Sequence, residues 1–300
     1  LYGGSSSERE ISIQSGEGVY KAIIELGFVA DLIDINDLED LSELRVFDFI
    51  FIALHGFEGE GGKLQKDLDD LNILYSGSSS KCCKNTWNKK LTKEILEQNN
   101  INTPIWSEVN KLPSYDSPNA KLSDSFFDKF RPFEAIFLKP QEDGSSIDIF
   151  KITNENNNKK AIQACLNPNR AFIYEEYING KEFTVTIIDN ICLPPIEIIS
   201  NNEFYDYDAK YHSDETLLIE AKLNKKELIE INKIAFGAFK ALECNGWARI
   251  DLIQDDEGKF YVIEINTVPG MTSHSCVPKS GSFLGLSYNE VVKKIIDASF

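Results

Sequence analysis

Two alternating apolar and polar segments near the end of the chain, 247–254 and 259–268, constrain its fold more than any other feature. They read as the strands of a hairpin joined by an even-length turn at Asp255-Asp256-Glu257-Gly258. Side chains alternate faces along a strand, and residues directly opposite across a hairpin share a face. Pairing Gln254 with Lys259 sets Arg249 opposite Glu264, with Asp251 and Asn266 on the same face. Ile250, Leu252, Ile263 and Ile265 take the other face, which is apolar enough to be core. One hairpin thus presents two carboxylates, an amide and a guanidinium together. A hairpin whose polar side only meets water normally turns Lys, Thr and Gln outward, not three oxygen ligands beside an arginine. Oxygen-only ligands suit Mg²⁺, which keeps some waters and takes substrate phosphates as its remaining ligands. The pattern favours a magnesium–phosphate site over a solvated face.

The remaining sequence has room for such a site. Three hundred residues allow two or three domains and a sizeable core. A hydrophobic fraction of 42% fits a globular chain, and a net charge of −17 with no basic stripe argues against a nucleic-acid surface. That charge does not exclude ATP, because a buried site needs only a few local cations. No apolar run is long enough to span a bilayer and no signal peptide is visible. Cys82, Cys83, Cys165, Cys192, Cys244 and Cys276 lack metal-ligand spacing. They read as free thiols of a reducing compartment.

The N-terminal part, roughly eighty residues, alternates strand and helix, the signature of a parallel sheet with covering helices. Leu1-Tyr2 reads as the tail of a strand that starts upstream, a helix follows from about Glu8, and 29–35 and 47–54 are strand candidates. A helix-bearing unit begins near Asn85 and runs through Glu97. Strand candidates follow at 134–139, 147–152, 171–178 and 182–189, the last two as an antiparallel pair. The segment 154–158 reads as a polar loop, and 110–130 as a Pro-, Ser- and Asp-rich surface region. A long amphipathic helix at 225–242, the hairpin, a Gly/Ser-rich loop at 270–286 and a closing helix complete the chain.

Several loops have the composition of ligand sites, each with a plainer alternative. Gly3-Gly4-Ser5-Ser6-Ser7-Glu8-Arg9-Glu10 joins strand to helix, and its amides would suit an anion. A helix N-cap with acidic residues in the first turn explains it better on local grounds. His55-Gly56 follows the 47–54 strand at its carboxyl end, the edge where open α/β sheets bind ligands. Lys139, then Gly144-Ser145-Ser146, offers a cation and a flexible turn of donors for a triphosphate, a common arrangement with little specificity alone. Glu175-Glu176-Tyr177-Ile178 leads into Glu182 as a charged hairpin turn. Tyr205-Asp206-Tyr207-Asp208-Ala209-Lys210-Tyr211 lies in a long loop suited to gating, or one merely tethered by its aromatics.

Taken together, these strings resemble the D-alanine–D-alanine ligases of the ATP-grasp superfamily over essentially the whole length. The matching pieces are Gly-Gly-Ser-Ser-Ser-Glu-Arg-Glu at 3–10, His-Gly at 55–56, Tyr-Ser-Gly-Ser at 75–78 and Gly-Ser-Ser at 144–146. Tyr-Asp-Tyr-Asp-Ala-Lys-Tyr at 205–211, Arg-Ile-Asp at 249–251 and Glu-Ile-Asn-Thr-Val-Pro-Gly-Met-Thr-Ser-His-Ser at 264–275 join them, the last being highly specific. The resemblance implies an α/β fold with α+β character in its ATP-binding part. Its units are an N-terminal domain at 1–84, a central ATP-grasp subdomain at 85–178, and a C-terminal subdomain with the metal site at 179–300. It implies a bacterial cytoplasmic homodimer that binds ATP and D-alanine, with neither nucleic acid nor membrane as partner. A D-alanine carboxylate attacks the γ-phosphate of ATP, and the amine of a second D-alanine displaces phosphate from the resulting acyl phosphate.

Carried over by position, Asp251, Glu264 and Asn266 hold two Mg²⁺ ions, with Mn²⁺ an acceptable substitute. Lys93 and Lys139 meet the α- and β-phosphates and Lys210 the γ-phosphate; Lys89 and Lys90 lie close enough to Lys93 for a short insertion to shift that register. Glu175 and the strand edge through Ile178 take adenine, and Glu182 the ribose. Glu8 binds the first alanine's ammonium with His55 nearby. Arg249 and the Gly270 N–H stabilise the tetrahedral intermediate, and Ser275 holds the second alanine's carboxylate. Ser145 and Tyr211 hydrogen-bond with Glu8 when the site closes. Two departures stand out: Gly61 replaces the aspartate of a Gly-Glu-Asp-Gly pattern, and Asp148 stands where a glycine often follows Gly-Ser-Ser-x. Asp148 would add negative charge near the phosphates unless it points away.

The nearest rivals are D-alanine–D-lactate and D-alanine–D-serine ligases, over which Tyr211 favours the dipeptide product. A regulatory protein that binds ATP without catalysis is a rival of another class. Arg249 beside all three metal ligands argues against it, since binding alone needs no oxyanion group.

Overall fold

In the computed structural model, which describes residues 1–109, 112, 133–144, 147–153, 155–200 and 216–300, the apolar run 50–54 is buried. A strand covered on both faces must be so. Leu1 donates to the Phe51 carbonyl at 2.8 Å, while Tyr2 bridges Asp34 and Ile50 bridges Tyr75, both in parallel. The expected parallel layer is therefore present, but as isolated bridges rather than long ladders, because the strand holding Tyr2 gives way at once to the Gly3-Gly4-Ser5 turn. The helix Arg9–Glu25 covers this layer through Ile11, Ser15, Val19 and Ala22, one stripe at helical spacing. Its core is shared with the far end of the chain: Leu54 and Leu68 belong to one cluster with Trp247, Met271, Val277, Val291 and Ile295.

Two antiparallel sheets follow. β1 (Trp106–Val109), β2 (Ile136–Pro140), β3 (Phe150–Ile152) and β4 (Phe172–Glu176) form one, in the order β1-β4-β2-β3. β5 (Gly180–Ile188), β7 (Ile196–Ile199), β8 (Leu217–Glu220), β9 (Trp247–Asp255) and β10 (Phe260–Asn266) form the other, in the order β10-β9-β5-β7-β8, and β6 (Ile191–Cys192) pairs β5. The expected antiparallel pair at 171–178 and 182–189 is thus not formed. β4 has both edges occupied by β1 and β2, and β5 by β9 and β7, so Tyr177-Ile178-Asn179 crosses between sheets instead of turning a hairpin. The helix Lys225–Ala241 backs the second sheet through Ile231, Ala235, Ala238 and Phe239, and starts at a capping box of Asn224 and Glu227.

Two loop readings are corrected. The segment 155–158 opens the helix Glu155–Ala164, whose Ala161 packs under the first sheet. Within 270–286 lies the helix Cys276–Phe283, because Cys276, Val277, Ser280 and Gly281 are buried despite the polar appearance of the sequence.

The β9–β10 hairpin has its four polar side chains on one face, but in another register. Gln254 faces Phe260, not Lys259. The Asp255 carboxylate accepts the N–H groups of Glu257 (3.0 Å) and Lys259 (2.8 Å), and Gly258 has φ +84°, so the loop is three residues long. A bulge between Val262 and Glu264 then shifts the ladder by one more residue, setting Glu264 opposite Asp251 and Asn266 opposite Arg249. Val262 and Ile265 both belong in the core, and strict alternation cannot put an even and an odd position on one face without an extra residue. Val262 therefore takes the core place expected for Ile263, and Ile263 lines the cleft.

Candidate active site between the two sheets

Asp251 is fixed from three sides. Arg249 grips it with Nε to Oδ1 at 2.8 Å and Nη2 to Oδ2 at 2.7 Å, Asn266 Nδ2 donates to Oδ2 at 3.0 Å, and Thr184 Oγ1 donates to Oδ1 at 2.6 Å. Glu264 sits across the ladder from it. Among the described residues no three His, Cys, Asp or Glu side chains converge on a metal position. The set is instead two carboxylates and the Asn266 amide oxygen, whose nitrogen is the atom turned to Asp251. Hard oxygen donors of this number fit Mg²⁺ or Mn²⁺ completed by waters and phosphate.

A cavity between the sheets is lined by Phe137, Lys139, Glu175, Ile178, Glu182 and Ile263 among others. Glu175 is buried and held by two ammonium groups, Lys93 Nζ at 2.5 Å from Oε2 and Lys139 Nζ on Oε1. Burial works to raise the Glu175 carboxyl pKa, but Lys139 and Lys93 together outweigh it and hold the value below the ordinary 4.5. Lys93 also donates to Thr103 Oγ1 at 2.8 Å. Lys89, one turn earlier on the helix Lys89–Gln98, lines the adjoining pocket and donates to the Asp143 carbonyl at 2.7 Å. Burial lowers its pKa. Lys90 turns outward to Glu108 at 2.5 Å.

The adjoining pocket is lined by Glu8, His55, Glu60, Lys89, Arg249 and Gly270, and shares Glu264 and Ile149 with the first cavity. Glu8 immediately precedes the helix Arg9–Glu25, and Gly56 (φ +75°) lies against it: a Cβ there would stand 3.0 Å from Glu8 Oε2. His55 Nδ1 is 2.9 Å from the Val268 carbonyl, so it must carry the proton, and Nε2 is 2.9 Å from Ser15 Oγ. Burial lowers the imidazole pKa against the opposing pull of Glu8, which agrees with a neutral ring. Ser15 Oγ also accepts the Met271 N–H at 3.0 Å, so His55 and Ser15 pin the 268–271 segment around Gly270. Ser275 Oγ accepts the Thr272 N–H at 3.0 Å, and a Cβ at Gly270 would come within 2.8 Å of that oxygen. Glu60, passed over in the sequence, is pushed up to about 8 by burial, with the Glu8 charge adding to it.

The Gly3–Ser7 turn does bind an anion, but it is the chain's own: the Ser5 and Ser6 N–H groups donate to Glu58 Oε2 at 2.7 and 3.2 Å. Asp148 points away from the cleft. Its carboxylate meets Arg170 Nη2 at 2.6 Å and the Leu166 N–H at 2.8 Å. Its φ of +55° is a conformation that suits glycine.

Of the residues expected at the site, Glu8, His55, Lys139, Glu175, Ile178, Glu182, Arg249, Asp251, Glu264, Asn266 and Gly270 line the two cavities. Lys93 lines neither cavity and reaches the first only through Glu175, and Ser275 lies against Gly270. Ser145, Lys210 and Tyr211 lie outside the described residues, as does most of 110–130. Lys89 and Glu60 are the additions. A lysine opening a helix and a glutamate in a glycine-rich loop carry no local mark of burial.

Comparison with known proteins agrees with this architecture. A family model for the D-ala D-ala ligase C-terminus matches residues 96–297. The D-alanine–D-alanine ligase of Haemophilus ducreyi is 36% identical over 303 residues, covering 100% of this chain and 96% of that one. That of a Marinomonas species is 36% identical over 304 residues, covering 98% and 93%. The crystal structure of a D-alanine–D-alanine ligase from Bacillus anthracis complexed with ATP aligns with a TM-score of 0.85 at 30% identity, covering 99% of this chain and 95% of that one.

Proposed function

We propose that the two joined cavities make and consume an acyl phosphate, because the chain belongs to the D-alanine–D-alanine ligase family and has its ATP-grasp fold. It is an ATP-dependent ligase that joins two D-alanine molecules into D-alanyl-D-alanine for peptidoglycan synthesis. The observation that carries the residue-level reading is that Glu264 and Ile149 belong to both cavities. A triphosphate lying between the sheets would end where the amino-acid pocket begins.

In this reading adenine lies against Ile178 and the backbone beside it, Glu182 takes the ribose, and Lys139 and Lys89 meet the phosphates. Lys93 acts through Glu175, which it holds. Asp251, Glu264 and Asn266 would hold the divalent ions. Bound there, Mg²⁺ supplies charge neutralisation for the triphosphate and the group in transfer. Glu8 receives the first alanine's ammonium, and the carboxylate of that alanine attacks the γ-phosphate to give D-alanyl phosphate and ADP. The amine of the second alanine then attacks the acyl carbon, and phosphate leaves. Arg249 and the Gly270 N–H face the oxygen that becomes negative in that step, where fixed donors stabilise charge most. His55 and Ser15 hold the segment that carries the Gly270 amide. A homodimer and a cytoplasmic location complete the proposal. Among the described residues no helix is long and apolar enough to cross a membrane.

The test is ADP release by the purified protein. It should require Mg²⁺ and D-alanine, and L-alanine should not replace it. Equal turnover with L-alanine would remove Glu8 and His55 from a stereospecific pocket. Preferred use of D-lactate or D-serine as second substrate would reassign the product.

A further inference from the structure

We propose that Arg170 is a positioning residue of the ATP site: its guanidinium clamps Asp143 and Asp148, each next to a residue that lines the cleft, and so fixes Lys89 and Ile149. The proposal rests on the ATP reading above. Arg170 Nη1 is ion-paired with Asp143 Oδ2, and Nη2 lies 2.6 Å from Asp148 Oδ2. Each aspartate adjoins the cleft. Asp143 accepts the Gly144 N–H on Oδ1 at 2.9 Å, and its carbonyl accepts Lys89 Nζ at 2.7 Å. Lys89, Asp143 and Gly144 line the amino-acid pocket, and Ile149, the residue after Asp148, lines both cavities.

Asp148 shows why a clamp is needed. It is 7% exposed and holds φ +55°, which costs an L-residue energy unless local bonds support it. The N–H groups of Leu166 at 2.8 Å and Asn167 at 3.3 Å supply part of that support, and Arg170 supplies the counter-charge. A guanidinium is a planar fork that can hold two carboxylates at set positions, whereas an ammonium is a point charge on a flexible stem. Arg170 sits just before β4, whose ladder with β1 and β2 gives the fork a rigid base, and its guanidinium lies 5.6 Å from the centre of the Phe172 ring.

The test compares Arg170→Gln, Arg170→Lys, Asp148→Gly and the double variant Asp148→Gly/Arg170→Gln by steady-state ADP release and melting temperature. Arg170→Gln should raise KM for ATP about tenfold with kcat within about twofold, the pattern of lost uniform binding. Arg170→Lys should fall between it and the wild type, and Asp148→Gly, which frees only the Ile149 end, should raise KM for ATP less than Arg170→Gln does because Arg170 still holds Asp143. The double variant should recover the melting temperature, since no buried carboxylate is left unpaired, yet keep the raised KM for ATP. A wild-type KM for ATP in Arg170→Gln would overturn the proposal. So would a double variant whose KM returns with its melting temperature, because Arg170 would then only neutralise Asp148. If Arg170→Gln does not fold, the double variant carries the same decision. A wild-type protein that releases no ADP with D-alanine would sink the ATP reading itself, a result distinct from either.

Discussion

Glu264→Gln should lower turnover by about 10²–10³-fold at saturating Mg²⁺, the scale for losing one preorganised charge at a reacting centre. The substitution keeps the shape of the side chain and removes only its charge. Glu264 stands opposite Asp251 in the ladder and at the junction of the two cavities, so a neutral amide there leaves a divalent ion and a triphosphate less balanced where the phosphoryl group would pass. The strand should be unaffected, because Val262 and Ile265, not Glu264, bind β10 to the core. The melting temperature without ligands should therefore match the wild type, while its rise on adding MgATP should shrink. Full activity at saturating Mg²⁺ would remove Glu264 from the metal set.

Glu175→Ala should be the most destabilising single change near the cleft. It removes the shared partner of Lys93 and Lys139, which are 1% and 8% exposed, and strands two ammonium groups in a buried place. Breaking a buried pair in this way costs about 3–5 kcal/mol, which for a protein of this size lowers the melting temperature by on the order of 10 °C. The pH dependence has a definite sign. Glu175 has its carboxyl pKa depressed in the folded protein, so its stabilisation is fully present above the unfolded value of about 4.3 and is lost as the pH falls through the lower folded value. The stability gap between wild type and variant should accordingly be widest near neutrality and narrow in acid. Thermal melts at several pH values measure this. A gap that stays constant or widens on acidification would mean the carboxylate is not what the two lysines depend on.

The hairpin shows how a site can be legible while its geometry is not. The pairing expected from the sequence differs from the ladder by one residue at Gln254 and by two at Glu264. Two single-residue irregularities, the short turn and the bulge, cancel in parity, so Arg249, Asp251, Glu264 and Asn266 still share a face. Only Ile263 and Val262, between the two irregularities, exchange places. Elsewhere the deciding contacts span long separations with no periodic trace. Glu175 and Lys93 meet in a buried ion pair, and Asp148 turns to Arg170 because of a backbone angle that its neighbours in sequence do not announce. Lys89 and Lys93 occupy successive turns of one helix, and only the packing around Glu175 separates a position that lines a cavity from one that does not.

The core shared by the two ends of the chain bears on how the protein is made. Leu54 and Leu68 are translated early, yet the cluster that buries them waits for Met271, Val277, Val291 and Ile295. Nascent domains usually fold in order as they leave the ribosome, but the apolar run 50–54 is covered only in part, by neighbours such as Val19 and Ala22, until Met271 to Ile295 have emerged. Contacts of such sequence separation fold slowly. Glu8 and Gly270 face one pocket from segments far apart in the chain, so a chain released before Gly270 lacks one wall of that pocket and keeps the 50–54 run partly exposed for chaperones to hold.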